Sequence, residues 1–235
     1  MITLAENQKN VKVGIIIPSY NVEENLGDIL ATTQSYILPK YIWVINDGSI
    51  DETRAIAKRI GVNLVEHPLN LGKGAALQSG FQAVLKSDCE YLITMDGDGQ
   101  HDPHCIPEFI RTQQRNACDI VLGKREFNPS VMPVDRILSN RLSSLLVSWA
   151  CGARIPDSQC GFRLFKTDLF KNMSLKTTHY DTETEILLNV LKKHHTRIAF
   201  CSVPTLYNAK LSHINRIIDS IRFCKLLFRH LFKRL

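Results

Sequence analysis

Apolar and polar positions alternate along this chain in two different rhythms, and the change from one to the other marks the elements. Val11–Ile17 is an apolar run, interrupted only by Lys12, that stops at Pro18. Its length and β-branched content predict a strand covered on both faces, as in a parallel sheet. Tyr41–Ile45, Val62–Glu66, Tyr91–Met95 and Asp119–Leu122 repeat that pattern. Between them lie segments of helical period. One opens at Ser49-Ile50-Asp51-Glu52, which reads as a capping box, and runs to about Ile60, where Gly61 permits a stop. Another spans Ala75 to about Lys86, and a third starts near Pro103 and Pro107. Strand and helix alternating in this way predict βαβ units and a mostly parallel sheet, with ligands at the carboxyl ends of the strands.

Beyond Gly123 the rhythm loosens. The pattern predicts a helix over about Arg136–Ala150, a short strand at Gly161–Phe165, a helix over Thr182–Lys193, and strands Arg197–Val203 and Thr205–Tyr207 split by Pro204. The remainder is helical in period. Ile214, Ile217, Ile218, Ile221, Phe228, Leu231, Phe232 and Leu235 form an apolar stripe, with Arg216, Arg222, Arg229, Lys233 and Arg234 mainly off it. The expected organisation is one α/β domain over residues 1–210 and a basic amphipathic helical tail over 211–235.

Composition fits a globular protein: 235 residues, 44% hydrophobic and 22% charged. Charge becomes informative once located. Residues 210–235 hold seven basic side chains and one acid, so the tail alone accounts for the chain's formal +6 and the rest sums to zero. A nucleic-acid-binding face on the main domain is therefore not expected. The tail suits an anionic membrane surface, where apolar burial and headgroup charge act together. Seven cysteines, odd in number and without a C-x-x-C pair, argue against a disulfide framework and for a reducing cytosol. Neither a signal peptide nor an apolar run long enough to span a bilayer is apparent, so a cytoplasmic protein in peripheral contact with the membrane is expected.

The most informative chemistry is Asp96-Gly97-Asp98-Gly99-Gln100, directly after a strand and so at the rim where ligands bind. Alternate oxygen ligands can wrap one hard cation, which neutralises a diphosphate leaving group. An EF-hand is excluded, because its required glycine is His101 and its twelfth-position glutamate is Pro107. Gly72-Lys73-Gly74 places a lysine at a helix start, where phosphate can bind. It is not a P-loop, since Gly74 follows the lysine and His67 stands where the leading glycine belongs. Pro18-Ser19-Tyr20-Asn21 lacks the glycines of a dinucleotide fold. Asp47, in Asn46-Asp47-Gly48-Ser49, closes a strand and can accept hydrogen bonds from a base or ribose, although an ordinary turn would look the same.

Pro18-Ser19-Tyr20-Asn21, Asn46-Asp47-Gly48-Ser49, Gly72-Lys73-Gly74 and Asp96-Gly97-Asp98, in this order, resemble the family 2 glycosyltransferases of GT-A fold, a Rossmann-like fold of nucleotide-diphospho-sugar transferases. Gly123-Lys124-Arg125, Asp157-Ser158-Gln159-Cys160-Gly161-Phe162-Arg163 and the Glu183/Glu185 helix narrow the likeness to the dolichol- and polyprenyl-phosphate sugar transferases, of which dolichol-phosphate mannosyltransferase is the best-known kind. The resemblance covers residues 11 to about 215 and implies inverting transfer of a hexose, mannose or glucose-like, from a GDP- or UDP-sugar to a polyprenyl phosphate. It implies Mg²⁺ or Mn²⁺ held by Asp96, Asp98 and Gln100, with Asp98 and Arg163 central to catalysis. Pro18, Tyr20, Ile45 and Asp47 would line the nucleoside pocket, Gly97 would let the donor approach, and Lys73 and Arg125 would meet donor phosphates. Arg136 and Arg163 would hold the acceptor phosphate, with Glu183 or Glu185 orienting groups. The sequence departs from the family pattern at Asn46 and Val22, both near the nucleoside pocket, which leaves base and sugar open. Two other readings stay open: a hydroxyl or glycan acceptor, for which one of the two glutamates becomes the base, and a nucleotide-sugar-binding protein without turnover.

Overall fold

The computed structural model describes residues 11–192, 196–206 and 216–232, with side chains in the last segment described from 218 to 231. Seven strands form one sheet: β1 (Val13–Ser19), β2 (Ile42–Asp47), β3 (Asn63–His67), β4 (Tyr91–Thr94), β5 (Ile120–Arg125), β6 (Arg163–Lys166) and β7 (Ile198–Val203). Their spatial order is β3-β2-β1-β4-β6-β5-β7, and only β6 runs antiparallel to its neighbours. Helices α1 (Glu23–Gln34), α2 (Thr53–Ile60) and α4 (Ile106–Asn116) cover one face. The other face carries α3 (Lys73–Leu85), α5 (Val134–Cys151) and α6 (Asp181–Val190), and α7 (Arg216–Phe232) lies against α5 and α6.

The apolar runs are strands with both faces covered, as their composition requires. In β1, Ile15 and Ile17 point into the core under α1 and α2, while Ile16 joins the core under α3; all three are fully buried. Helix α3 makes close approaches at two glycines: a Cβ added at Gly80 would meet the Ile16 side chain of β1. One added at Gly74 would meet the Thr182 hydroxyl and come within 2.6 Å of the Thr178 carbonyl carbon, so α3 touches the segment leading into α6 directly.

Strand order decides where ligands sit. From β1 the chain builds outward to β2 and β3, then returns to place β4 on the other side of β1. The loops after β1 and β4 therefore diverge at a topological switch point, which opens a crevice at the carboxyl ends of the strands. The antiparallel β6 begins at this same rim, because Arg163 is paired with Thr94 and Leu122.

Several expectations are revised. Helix α1 was not foreseen from the pattern, although Leu26, Ile29, Leu30 and Thr33, all buried, have helical spacing. The capping box does not form: Ser49 Oγ accepts from the Asn21 amide at 3.0 Å, and Asp51 accepts from Glu23 and Thr53 amides, each at 3.0 Å. These side chains tie two βα loops together, and α2 starts only at Thr53. Thr205 and Leu206 are not in a strand, and Tyr207 lies outside the described residues. All seven cysteines are free. None of the described helices is long and apolar enough to cross a membrane.

The Gly74 contact gives a prediction. Gly74→Ala must push apart α3 and backbone at Thr178, and should destabilise the protein by roughly 1–3 kcal/mol in urea unfolding. Unchanged stability would mean that the α3 and α6 ends are not held at this distance.

Candidate active site

A cavity of about 260 Å³ opens at the switch point. Of the residues singled out from the sequence, Pro18, Tyr20, Asp47, Lys73, Asp96, Gly97 and Asp98 line it. It also takes in Asn70, His179 and Tyr180, which the sequence reading missed. The last two arrive from the segment before α6, carried there because the Ala75 amide donates to the Thr178 carbonyl at 3.1 Å. No local pattern marks them.

At the floor of the site sits a buried charge cluster. Lys73, at the start of α3, places Nζ 2.7 Å from Asp96 Oδ1 and 3.2 Å from Glu183 Oε2. Burial by itself would discharge this lysine, but the two carboxylates outweigh it and its pKa is raised. Asp96 shows the converse: burial opposes its charge, the Lys73 ammonium favours it, and the net shift is downward. The Asp96 amide donates to His101 Nδ1 at 2.9 Å. Burial brings His101 down to about 4, so it is a neutral acceptor here.

Asp98 behaves differently. Its pKa is raised, first by burial and then by the negative charge of Asp96. Oδ1 accepts the Gln100 amide at 3.0 Å and Oδ2 the Gln100 side-chain amide at 2.8 Å. Two close carboxylates, one of them short of positive charge, are the donor set on which a hard divalent cation gains most. Among the described residues no cluster of three or more His, Cys, Asp or Glu is arranged around a metal position. Mg²⁺-type sites often use only one or two protein carboxylates and take their remaining ligands from substrate phosphates. Asp96 and Asp98 fit such a group.

Gly161 packs against the buried charge cluster. A Cβ there would come within 2.7 Å of Glu183 Oε1 and 3.3 Å of both Asp96 Oδ2 and the His101 ring, so bare backbone is what fits against the cluster. Gly97 lines the cavity and also makes a close approach within the protein. Its missing side chain faces Ser19 Oγ at 3.0 Å and the Pro18 carbonyl at 3.3 Å, so it lets the β4 loop pack against the end of β1.

Several candidate residues are committed to the protein itself. Asp47 Oδ1 accepts the Leu71 amide at 3.0 Å and pairs with His67 Nδ1 at 2.6 Å, while Oδ2 accepts the Gly72 amide at 2.8 Å. It shapes the loop that presents Lys73. Ile45 is fully buried behind the crevice wall. The guanidinium of Arg125 is forked onto Asp157, at 2.8 and 3.0 Å, and its charge is stabilised despite burial.

Arg163, only 2% exposed, donates to three backbone carbonyls, those of Cys160, Ser158 and Glu183, at 2.7, 2.7 and 2.8 Å. A guanidinium spent on carbonyls in this way is a loop staple; the direct phosphate contact expected of it is not the placement found. Glu185 likewise accepts from Lys176 and Thr177 amides at 2.9 Å and from the Thr177 hydroxyl at 2.7 Å. Of the two glutamates, the geometry brings Glu183 to the cluster. Arg136, in the first turn of α5, does not line the cavity. The Cys160 thiol is buried and pushed up to about 12, which rules it out as a nucleophile at neutral pH.

Arg163→Lys should cost roughly 2–4 kcal/mol of stability, because a lysine cannot satisfy three diverging carbonyls in a buried site. A near-native urea midpoint with lost turnover would instead return Arg163 to a direct role at the substrate.

Comparison with known proteins agrees with this geometry. Residues 14–203 match the model of glycosyl transferase family 2. The chain is 27% identical over 215 residues to a UDP-N-acetylglucosamine–dolichyl-phosphate N-acetylglucosaminyltransferase of Methanococcus voltae, covering 82% of this chain and 85% of that protein. It is 29% identical over 225 residues to a dolichyl-phosphate beta-glucosyltransferase of Trichomonas vaginalis, covering 84% and 66%. Among solved structures, glucosyl-3-phosphoglycerate synthase of Mycobacterium tuberculosis, crystallised with Mn²⁺, UDP and glucosyl-3-phosphoglycerate, superposes with a TM-score of 0.70 over 96% of this chain and 80% of that one. At 15% identity that likeness speaks to the fold alone.

Proposed function

The chain belongs to glycosyl transferase family 2 and is a glycosyltransferase; from that premise we propose that it transfers a hexose, with inversion, from a nucleotide-sugar to a polyprenyl phosphate, at the cytoplasmic face of a membrane and with Mg²⁺ or Mn²⁺ bound. The observation that carries this reading is the pairing of a charge-balanced Asp96 with an Asp98 that makes no ion pair among the described residues, both lining a cavity of about 260 Å³. Two relatives named for dolichyl-phosphate transfer favour the lipid acceptor.

On this reading Pro18, Tyr20 and Asn70, which line the cavity, would receive the nucleoside end of the donor. Asp96 and Asp98, with Gln100 orienting the latter, would hold the metal, which when bound supplies positive charge for the departing diphosphate. Lys73 keeps Asp96 ionised and fixed, so the site's carboxylates are preorganised before the donor arrives. A sugar hydroxyl as acceptor would need a base, but a phosphate monoester is already anionic at neutral pH and attacks the anomeric carbon unaided. Glu183 suits the second case. One oxygen faces the Lys73 ammonium and the other lies under Gly161, so the group orients its neighbours. Arg125 and Arg163 act as positioning residues that hold the 157–163 loop against the cluster.

The experiment is a screen of radiolabelled GDP- and UDP-sugars with polyprenyl phosphate and Mn²⁺, followed by partition between water and organic solvent. Label in the solvent phase is the expected result; product found only in water, on a glycan, would favour the hydroxyl-acceptor reading. Asp98→Ala should abolish transfer, a loss of at least about a thousandfold, with an unchanged unfolding midpoint. Transfer that survives both this substitution and EDTA would remove the metal assignment.

A further inference from the structure

Helix α5 turns a row of large apolar side chains outward. Val134, Leu138, Leu142, Leu145 and Trp149 recur every three or four residues and are 58%, 61%, 58%, 67% and 68% exposed. That spacing puts them on one side, opposite the buried Ile137, Ser144, Val147 and Ala150. Single exposed apolar residues are ordinary, but a five-residue stripe along a whole helix marks a contact surface.

The adjoining α7 has the same construction. Leu226 and Leu227 face inward on Ala150 and Leu188, while Ile218, Ile221 and Phe228 are 47%, 50% and 60% exposed. Charge beside the two stripes is biased. Arg141, Arg154, Lys225 and Arg229 are exposed on or next to these helices. Of the acids in the described parts of α5 and α7, Asp135 is exposed and Asp219 is paired with Arg222 at 3.1 Å.

We propose that the exposed face of α5, continued by that of α7, is the surface on which this protein sits on an anionic lipid bilayer. Side chains that project from a convex helix, with a tryptophan near one end and flanking arginines and lysines, match an interface where rings and aliphatic groups enter the acyl boundary and cations meet headgroups. For its functional meaning this inference rests on the polyprenyl-phosphate reading. The inner side of α5 is fastened to the loop that walls the charge cluster. Ser144 Oγ accepts the Ser158 amide and Ser148 Oγ the Ile155 amide, each at 2.9 Å, and that loop continues to Gly161 against Asp96 and Glu183. A bilayer under α5 would thus bring lipid headgroups to the helix that carries the loop packed against the charge cluster.

The test uses the full chain and phosphatidylcholine vesicles with about one-third phosphatidylglycerol at low salt. The triple substitution Leu138→Gln, Leu142→Gln and Leu145→Gln should lower co-sedimentation at least about tenfold, while Leu38→Gln, the same change at a 61%-exposed leucine elsewhere, should leave it unchanged. The triple variant should still bind nucleoside diphosphate and transfer sugar to a short, water-soluble prenyl phosphate. Co-sedimentation equal to that of the unmodified chain overturns the proposal. So does an unmodified chain that never pellets but dimerises in solution and becomes monomeric in the triple variant, since the face then belongs to a second copy. If the vesicle result is as expected but no prenyl phosphate accepts sugar, docking stands and the acceptor reading alone falls.

Discussion

The contact on which the site depends is the buried lysine between two carboxylates. Lys73 Nζ lies within 3.2 Å of both Asp96 and Glu183, three residues brought together from the start of α3, the end of β4 and the first turn of α6. A charge of either sign alone in this place would be expelled or neutralised. Together they fix where α3 begins, how the Asp96 loop leaves the sheet and how closely α6 approaches. The close passes at Gly74 and Gly161 are consequences of that convergence: three backbones must come near enough for short side chains to meet.

Buried polar contacts around the cluster hold this arrangement. Asp47 gathers the Leu71 and Gly72 amides, Arg125 locks Asp157, and Arg163 satisfies three carbonyls of the loop behind Gly161. Each is a strong charge-assisted bond made in a place where leaving its partner unsatisfied would be costly. Rigid placement of the acidic pair is what a sugar-transfer site needs, since a reaction of this kind leaves the protein mainly positioning and charge stabilisation to do. Asp98 makes no ion pair among the described residues, and so is the member to which an external charge can be added.

Helix α5 joins the interior to the surface. Its buried serines hold the motif loop, while its outer face offers the bilayer-like stripe. One helix can serve both because its period separates the two faces, and its length lets polar contacts inside and apolar contacts outside act at the same level of the molecule.

Much was fixed by residue order alone. The apolar runs had to be buried strands, their alternation with helices had to give a mostly parallel sheet, and an acidic pair directly after β4 had to stand at the ligand rim, because these follow from period and chain direction. That Asp96 and Asp98 line the cavity was legible for that reason. What the sequence could not supply were relations between distant segments: that β6 would enter antiparallel between β4 and β5, that His179 and Tyr180 would reach the cavity, and that Glu183 rather than Glu185 would face the lysine. The roles of Asp47, Arg125 and Arg163 turned on the same point. A charged side chain's type says what it can bind, but only the packed backbone around it decides whether that capacity is spent on the protein's own amides and carbonyls or left for a ligand.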